Sequence, residues 1–407
     1  MKKKLITIIS MIAVVTMLAF SLAACGGSND GGGTAPAPAG SGTAGGSGAA
    51  PAPAPASSGS MKIGVLVADV SGEEAQGFRN YYENYIAPKY DVQFVYTEQL
   101  TDAASEKSAI EKFASQGCSA ILSFSSSDRA LQIETCEENQ IYYAVASGML
   151  DNEQYEKYKG YEYFVGQIGP SMDTEYQAGY EMGKYFADKG AKKVAMYGAF
   201  IPNPMHVYRA AGVLAGIGAT YGGASDEGGI VGQIFADQGI DLSKVGANGV
   251  ELVNYFQGYG DTTADELNAA IQAKPDAFLS VGMATTFFAQ QLSTAGIDFS
   301  DIDSFTAANN ASMKDGTLVY LAGKYSSSIG PIFAAVYDAV NGNVVRDNDG
   351  NAMSISQGFR IATSAEEFDE LVSKDSGDNP IFSKEILDTV ISDKATYDDF
   401  VALVENN

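Results

Sequence analysis

The sequence predicts an α/β protein made of two doubly wound, parallel-sheet lobes joined by a hinge. Short, almost continuously apolar runs alternate with amphipathic segments of helical spacing, which is typical of parallel strands covered by helices on both faces. The alternation restarts near residue 163, so it describes two consecutive units. A length of 407 residues with 45% hydrophobic residues also suits roughly two domains with ordinary cores.

The first unit begins with an apolar run that follows a polar N-terminal region. Strands are predicted at 62–69, 92–96, 119–124 and 141–146. Helical spacing of apolar residues predicts helices at 73–87, 102–116 and 128–138. The first of these helices carries several aromatic residues on one face, from Phe78 to Tyr85, which indicates that this face is buried.

The second unit repeats the pattern and ends in a polar tail with two short helical segments. Its predicted strands are 163–168, 193–197, 252–256, 277–281, 305–308 and 319–322. Its predicted helices are 173–188, 205–217, 262–273, 285–295 and 329–341. We assign residues 61–168 plus about 326–345 to lobe 1, and residues 169–325 plus about 346–407 to lobe 2.

The N-terminus has the features of an export signal. Three lysines at positions 2–4 precede an uncharged apolar run at 5–20, and Leu22-Ala23-Ala24-Cys25 follows. A cysteine directly after Leu-Ala-Ala resembles the lipobox of bacterial lipoproteins. The resemblance implies a lipoprotein signal peptide at 1–24 and a diacylglyceryl group on Cys25, and the alternative is a plain transmembrane anchor. We therefore expect an extracytoplasmic protein, anchored to the cell membrane by lipid.

Residues 25–60 are predicted to be a disordered linker behind the lipidated cysteine. Apart from Cys25, Asn29 and Asp30, this segment contains only Gly, Ala, Pro, Ser and Thr, which cannot form a core. The two other cysteines, Cys118 and Cys136, have a spacing that resembles no metal motif. Although an extracellular setting would permit a disulfide, we favour two separate buried thiols.

Charge and histidine content exclude several classes of function. The chain has 50 acidic and 25 basic residues, which argues against nucleic acid or an anionic lipid surface as a partner. A single histidine excludes multi-histidine metal sites and leaves His206 as the one imidazole base. We expect no metal, no cofactor and a monomeric protein.

Ligands of open α/β sheets bind beyond the carboxyl ends of the strands, and two such lobes close around a ligand by a hinge. The candidate ligand-binding residues come shortly after predicted strands: Ser71, Glu73, Phe124, Ser125, Ser147, Gln167, Asn203, Arg209, Phe256, Met283, Asn309 and Lys324. This set is rich in hydrogen-bonding and aromatic side chains and poor in acids. It therefore predicts binding and no catalytic residue.

Several stretches are similar to the type I periplasmic binding proteins of ABC importers, in the sugar-binding group. They are Lys62-Ile-Gly-Val-Leu-Val, Gln116-Gly-Cys-Ser-Ala-Ile-Leu-Ser, Gln177-Ala-Gly-Tyr-Glu-Met-Gly-Lys-Tyr and the segment 203–213 with Arg209 and Gly212. The resemblance implies that Arg209 donates to ligand hydroxyls, Phe256 stacks on a sugar ring, Asn309 presents an acceptor and Lys324 takes a crossover position. It further implies capture of a small polar ligand, a sugar in the first place, and a membrane permease as partner.

Three positions depart from the family pattern. Ala146-Ser147-Gly148 replaces an Asp-Arg pair, Gln167-Ile168-Gly169 replaces Ser-Asp-Asn, and Gly282-Met283-Ala284 replaces Asn-Asp. Fewer carboxylates and the polarisable Met283 predict a more apolar pocket than a monosaccharide site has. A nucleoside or other aromatic ligand therefore stays an alternative, as does a sensory binding protein. A glycosidase using Glu73 is disfavoured because few acids follow the strands.

Two further segments stand out. Asp347-Asn-Asp-Gly-Asn351 has the wrong glycine spacing for a calcium loop, so a hairpin turn is predicted there. Residues 222–249 form a Gly- and Asp-rich insertion between elements of the second unit, and the sequence suggests no function for it.

Overall fold

The computed structural model describes residues 60–68, 70–125, 127–198, 203–258 and 260–407. The predicted signal peptide, Cys25 and the predicted linker up to residue 59 lie outside these residues. The described strands are β1 (Met61–Leu66), β2 (Val92–Tyr96), β3 (Ala120–Ser123), β4 (Tyr142–Val145), β5 (Phe164–Gly169), β6 (Lys193–Tyr197), β7 (Thr220–Tyr221), β8 (Val245–Gly246), β9 (Glu251–Phe256), β10 (Ala277–Ser280), β11 (Asp298–Ser304), β12 (Leu318–Lys324), β13 (Met353–Ser356) and β14 (Arg360–Ala362).

The helices of the same residues cover both faces of the sheets. They are α1 (Glu73–Asn80), α2 (Ala87–Tyr90), α3 (Ala103–Ser115), α4 (Arg129–Glu138), α5 (Asn152–Tyr158), α6 (Met172–Asp188), α7 (Pro204–Gly216), α8 (Glu227–Asp237), α9 (Thr263–Gln272), α10 (Ala284–Ala295), α11 (Ala307–Lys314), α12 (Gly330–Val340), α13 (Ala365–Ser373), α14 (Lys384–Leu387) and α15 (Tyr397–Asn406). A π-helical segment, Tyr81–Ile86, joins α1 to α2, and 3-10 turns lie at Leu242–Lys244 and Ser326–Ile329.

Lobe 1 is built on a six-stranded sheet in the order β13-β5-β4-β3-β1-β2, with every pairing parallel. Its central helix, α12, is apolar on nearly all sides and is buried, as a helix without a polar face must be. Phe333 of this helix is fully buried, and its ring centroid lies 6.1 Å from that of Tyr82. The aromatic face predicted from Phe78 to Tyr85 therefore forms part of the lobe 1 core.

Lobe 2 is built on a second six-stranded sheet, in the order β14-β12-β11-β10-β6-β9. All its pairings are parallel except that of the edge strand β14, which runs antiparallel to β12. One core cluster contains Val194 and Leu214, and another contains Phe278 and Phe288. Apolar cores on both faces confirm the predicted doubly wound architecture.

The described chain crosses between the lobes near 169–171, 324–326, 356–360 and 373–382. The structure corrects the assignment of 346–407 to lobe 2, since β13 joins the lobe 1 sheet. The apolar side chains of Leu387 and Phe400, which belong to α14 and α15, complete the core around Phe333. In this tail, β14 and α13 belong to lobe 2, where Phe368 is buried.

One predicted strand is wrong in position. A strand was predicted at 305–308, but the strand in this region is β11, Asp298–Ser304. The helix α11 already begins at Ala307. Aspartate and serine are poor strand formers, so the run Asp-Phe-Ser-Asp-Ile-Asp-Ser does not suggest a strand by propensity. Its place between β10 and β12 imposes the extended conformation.

The smaller predictions agree with the structure. Asp347 and Asn351 close a turn in which Gly350 has a φ of +83°, and Cys118 and Cys136 are separate buried thiols. The insertion at 222–249 contains α8, which packs on α7, and β8, which pairs antiparallel with β7 just before the insertion. Within the residues described, no helix is long and apolar enough to span a bilayer.

Candidate ligand-binding cleft

A cleft lies between the carboxyl ends of the parallel strands of the two lobes and divides into two adjoining chambers. The large chamber has a volume of about 750 Å³, and the small chamber has a volume of about 220 Å³. Glu74, Phe124, Ser147, Met283 and Asp303 line both chambers and so form the boundary between them. These boundary residues come from both lobes, so both lobes are needed to enclose the cleft.

The large chamber is walled mainly by hydrocarbon. Besides the boundary residues, lobe 1 contributes Val65, Val67, Ala68, Val70, Ser71, Gly72, Glu73, Ala75, Phe78, Arg79, Tyr82 and Tyr96, and lobe 2 contributes Thr285, Thr286, Phe287, Thr306 and Ala308. Most of its polar groups are hydroxyls.

The small chamber is more polar. Besides the boundary residues, it is lined by Arg129, Gly148, Met149, Pro170, Met172, Glu175, Asn203, Met205, His206, Arg209, Gly282, Ile302 and Lys324. His206 is buried, and burial followed by the nearby Arg209 charge lowers its pKa to about 4. The imidazole is therefore neutral at pH 7.

Two of the three guanidinium nitrogens of Arg209 already donate hydrogen bonds to other groups of the protein. Its side chain is 5% exposed, its Nε donates to Glu175 Oε2 at 2.5 Å, and its Nη1 donates to the Val281 carbonyl at 2.7 Å. Glu175 is 1% exposed. These bonds tie α7 to α6 and to the end of β10. Nη2 alone has no hydrogen-bond partner among the described residues, so it is the nitrogen left to donate to ligand hydroxyls as the resemblance implies.

The first turn of α1 bridges the two lobes. Glu74 Oε1 accepts from Lys324 Nζ at 2.8 Å and from Ser304 Oγ at 2.5 Å, while Glu73 Oε2 accepts from the Ala308 amide at 3.1 Å. Burial alone would raise the pKa of Glu74, but the Lys324 ammonium and the hydrogen bonds from Lys324 and Ser304 outweigh it and lower the pKa. The Glu74 carboxylate is thus held ionised across the cleft.

Asp303, near the end of β11, is the boundary acid without an ion pair among the described residues. Its Oδ1 accepts from the Ser304 amide at 2.8 Å. Burial, followed by the negative charges of Glu74 and Asp301, raises its pKa to about 8. A carboxyl group that is protonated near neutral pH both donates and accepts hydrogen bonds, as a ligand hydroxyl requires.

Asp303→Asn should change the pH dependence of stability. The pKa of Asp303 rises from 3.8 to about 8 on folding, so its stabilising contribution is complete below pH 3.8 and is lost as the pH rises towards 8. We expect the variant to gain thermal stability relative to the wild type as the pH is raised from 4 to 8, measured by melting temperature. Asp349→Asn, at an exposed turn, is the control. A difference between Asp303→Asn and wild type that is constant across this range would contradict the prediction.

Asp301 positions the loop that carries Met283. It is fully buried and accepts from Ser280 Oγ at 2.9 Å and from the Thr285 amide at 3.0 Å. Burial raises its pKa to about 6. Met283 has a φ of +71° and is 41% exposed, and this left-handed conformation is uncommon for a residue with a side chain. The buried aspartate therefore holds a strained residue at the boundary of the chambers.

Eight of the twelve predicted binding residues line the cleft: Ser71, Glu73, Phe124, Ser147, Asn203, Arg209, Met283 and Lys324. The other four, Ser125, Gln167, Phe256 and Asn309, are buried and line neither chamber.

Ser125 and Gln167, the two lobe 1 residues among these four, form hydrogen bonds within their own lobe. Ser125 Oγ donates to the buried Glu106 carboxylate. Gln167 accepts from the Leu150 amide at 2.7 Å and donates to Ser354 Oγ at 2.9 Å. Both side chains are satisfied within the lobe, so a ligand would have to displace these bonds to reach them.

The two lobe 2 residues belong to its core. The Phe256 ring packs against Tyr197 and Phe288, with centroid distances of 5.3 and 5.9 Å, which leaves no face for a sugar. Asn309 lies in the first turn of α11, and its Nδ2 donates to the Ser304 carbonyl at 2.7 Å. The resemblance implied Asn309 as an acceptor, and Asn309 joined the candidates that follow a strand because the strand before it was predicted too late in the chain.

Sequence reasoning missed Asp303, Glu74 and three residues of the large chamber, Tyr96, Thr285 and Phe287. A signal for Asp303 was present. The helix predicted to end at 295 is followed by Gly296, and loops from helix to strand in α/β units are usually two to six residues long. That length favours a strand near 298 and places Asp303 at its carboxyl end. No comparable signal distinguishes Glu74 from its neighbour Glu73.

Solved structures of similar architecture include several sugar-binding and solute-binding proteins. A solute-binding protein of an ABC transporter from Bacillus halodurans C-125, with bound myo-inositol, is 16% identical with a TM-score of 0.55 over 78% of this chain and 99% of that one. The binding component of an arabinose transporter from Shewanella sp. ANA-3 is 15% identical with a TM-score of 0.54 over 77% and 95%. A protein from Actinobacillus succinogenes 130z, with bound D-allose, is 13% identical with a TM-score of 0.56 over 76% and 99%.

No protein-family model and no curated protein sequence matches the chain. At these identities the structural likeness establishes the fold. The chain therefore has the fold of the type I periplasmic binding proteins, with its ligand cleft between two parallel-sheet lobes.

Proposed function

We propose that this chain is a non-enzymatic solute-binding protein of an ABC importer. It captures a small hydroxyl-bearing ligand, a sugar in the simplest case, between its lobes and delivers it to a membrane permease. The observation that carries the proposal is the inter-lobe cleft, in which Asp303 and Ser147 line both chambers and Lys324 lines the small chamber. The sugars and inositol bound by proteins of the same fold support a ligand of this class.

The engagement of the cleft acids supports binding without turnover. Glycoside hydrolysis usually needs two carboxyl groups that flank the scissile bond. In the described cleft, Glu74 pairs with Lys324 and Glu175 pairs with Arg209. Among the described residues, Asp303 and Glu73 are the cleft acids without an ion pair, and Glu73 accepts from the Ala308 amide and lines only the large chamber. We extend the proposal to a monomer outside the cell membrane, anchored by lipid on Cys25, on the strength of the N-terminal sequence.

A ligand screen tests the proposal. The full chain, purified in detergent, is heated with monosaccharides, oligosaccharides, nucleosides and amino acids, one at a time. A ligand at one hundred times its Kd adds about 2.7 kcal/mol of stability, so a binding sugar should visibly raise the melting temperature. Asp303→Ala, which removes both the donor and the acceptor, should weaken binding of that sugar at least about tenfold, while Asp349→Ala should not.

Two results would contradict the proposal. One is a panel in which no compound shifts the melting temperature. The other is conversion of the bound sugar to a new product during incubation, followed by chromatography, which would make the protein an enzyme.

A further inference from the structure

We propose that the ligand of this cleft carries a flat aromatic group joined to its hydroxyl-bearing part, and that the aromatic group occupies the large chamber. This inference rests on the proposed function and narrows its substrate class. It follows from the division of the cleft into two chambers of different size and chemistry.

The size and wall of the large chamber argue against a second polyol group. Its volume of about 750 Å³ lies in the range of pockets that enclose drug-sized molecules. Its wall includes the aliphatic side chains of Val65, Val67 and Val70 beside several aromatic rings. A hydroxyl-rich group would lose water against this wall without gaining enough hydrogen bonds, whereas an aromatic group gains from the transfer.

Aromatic side chains face the large chamber from both lobes. On lobe 1, the rings of Phe78 and Phe124 are stacked with centroids 5.3 Å apart, and Tyr96 lies under the Arg79 guanidinium at 4.6 Å. On lobe 2, Phe287 lines the chamber and is 46% exposed. The interaction free energy of an aromatic pair is more favourable than the burial of its surface area alone would give. A flat ring that contacts both walls is therefore bound more tightly than a non-aromatic group of equal size.

The boundary residues indicate where the two parts of the ligand join. Asp303, Ser147 and Glu74 line both chambers and offer polar groups at the junction. A hydroxyl-bearing ring at the boundary would leave its aromatic substituent in the large chamber. Nucleosides and aryl glycosides share this chemistry, and the experiment distinguishes them.

Calorimetric titration of the full chain in detergent tests the inference. The probes are free monosaccharides, the p-nitrophenyl glycosides of the same sugars, and nucleosides. We expect the glycosides or the nucleosides to bind at least about tenfold more tightly than free sugars. Tighter binding of the nucleosides than of the glycosides identifies the ligand as nucleoside-like, and the reverse identifies it as an aryl glycoside.

One variant locates the gain in the large chamber. Phe287→Ala should reduce the preference for the conjugate over the free sugar about tenfold. Leu242→Ala is the matched control, because Leu242 is an apolar side chain of lobe 2 that is 39% exposed and lines neither chamber.

The outcomes separate this inference from the proposed function. If free sugars bind as tightly as their conjugates and Phe287→Ala leaves the ratio unchanged, the inference is overturned while the proposed function stands. If none of the free sugars, glycosides and nucleosides binds, both are overturned.

Discussion

Arg209→Ala is expected to lower the free energy of unfolding by about 3–5 kcal/mol, the range for removal of one partner from a buried ion pair. The Glu175 carboxylate would remain buried without its counter-charge, and the Val281 carbonyl would lose its donor. Equilibrium unfolding in guanidinium chloride measures the change. A loss of this size would show that the residue which most resembles a ligand contact serves first to stabilise lobe 2.

Two further variants separate the charge effect from simple truncation. Arg209→Met combined with Glu175→Gln leaves no unpaired buried charge, so it should recover part of the stability lost in Arg209→Met alone. Arg360→Ala, at an exposed residue of the same lobe, should change the unfolding free energy by less than about 0.5 kcal/mol. An Arg209→Ala protein as stable as the Arg360→Ala protein would rule out the buried-pair account.

Gly212→Ala is the second substitution with a large expected effect, about 3 kcal/mol of destabilisation or more from overpacking. A Cβ atom at position 212 would lie 2.0 Å from the carbonyl oxygen of Tyr176 on α6. A Cβ atom at Gly179 of α6 would likewise lie 2.0 Å from the carbonyl oxygen of Arg209 on α7. Because both obstructions are backbone atoms, the helices would have to separate. The same helices carry Glu175 and Arg209, so the small chamber would deform with them.

The control for this prediction is Gly232→Ala, on the exposed face of α8. No atom lies within 4 Å of a Cβ placed there, so alanine should stabilise the helix by roughly 0.5–1 kcal/mol. Guanidinium unfolding of both variants gives the comparison, and circular dichroism reports whether helix content is kept. Equal effects of the two substitutions would show that helix propensity, and not close helix packing, governs position 212.

The order and type of most elements could be predicted because apolar periodicity is local information. The strand predicted at 92–96 is β2, and the helix predicted at 173–188 is α6 with a shift of one residue at its start. The strand β11 escaped prediction because its aspartates and serines are placed in a sheet by their neighbours in space. That single displacement placed Asn309, and not Asp303, among the candidates that follow a strand.

The sequence predicted the location of the candidate site better than it predicted which individual residues line it. The rule that ligands bind after parallel strands brought Ser147, Met283 and Lys324 to the cleft. The same rule also selected Gln167 and Phe256, which lie at strand ends and face the interior of their lobes. The direction of a side chain at a strand end depends on twist and packing, which the position in the sequence does not reveal.

By itself the sequence determined the two-lobe α/β class, the position of a cleft between strand ends and the acidic, histidine-poor character of the chain. The tertiary structure decided which lobe contains each part of the C-terminal tail. It also decided which donors of Arg209 already bond to the protein and which of the two boundary acids has no ion pair. These depend on burial and on partners distant in the chain. Glu175 and Arg209 are 34 residues apart, and Glu74 and Ser304 are 230 apart, so the hydrogen bonds between them exist only in the folded protein.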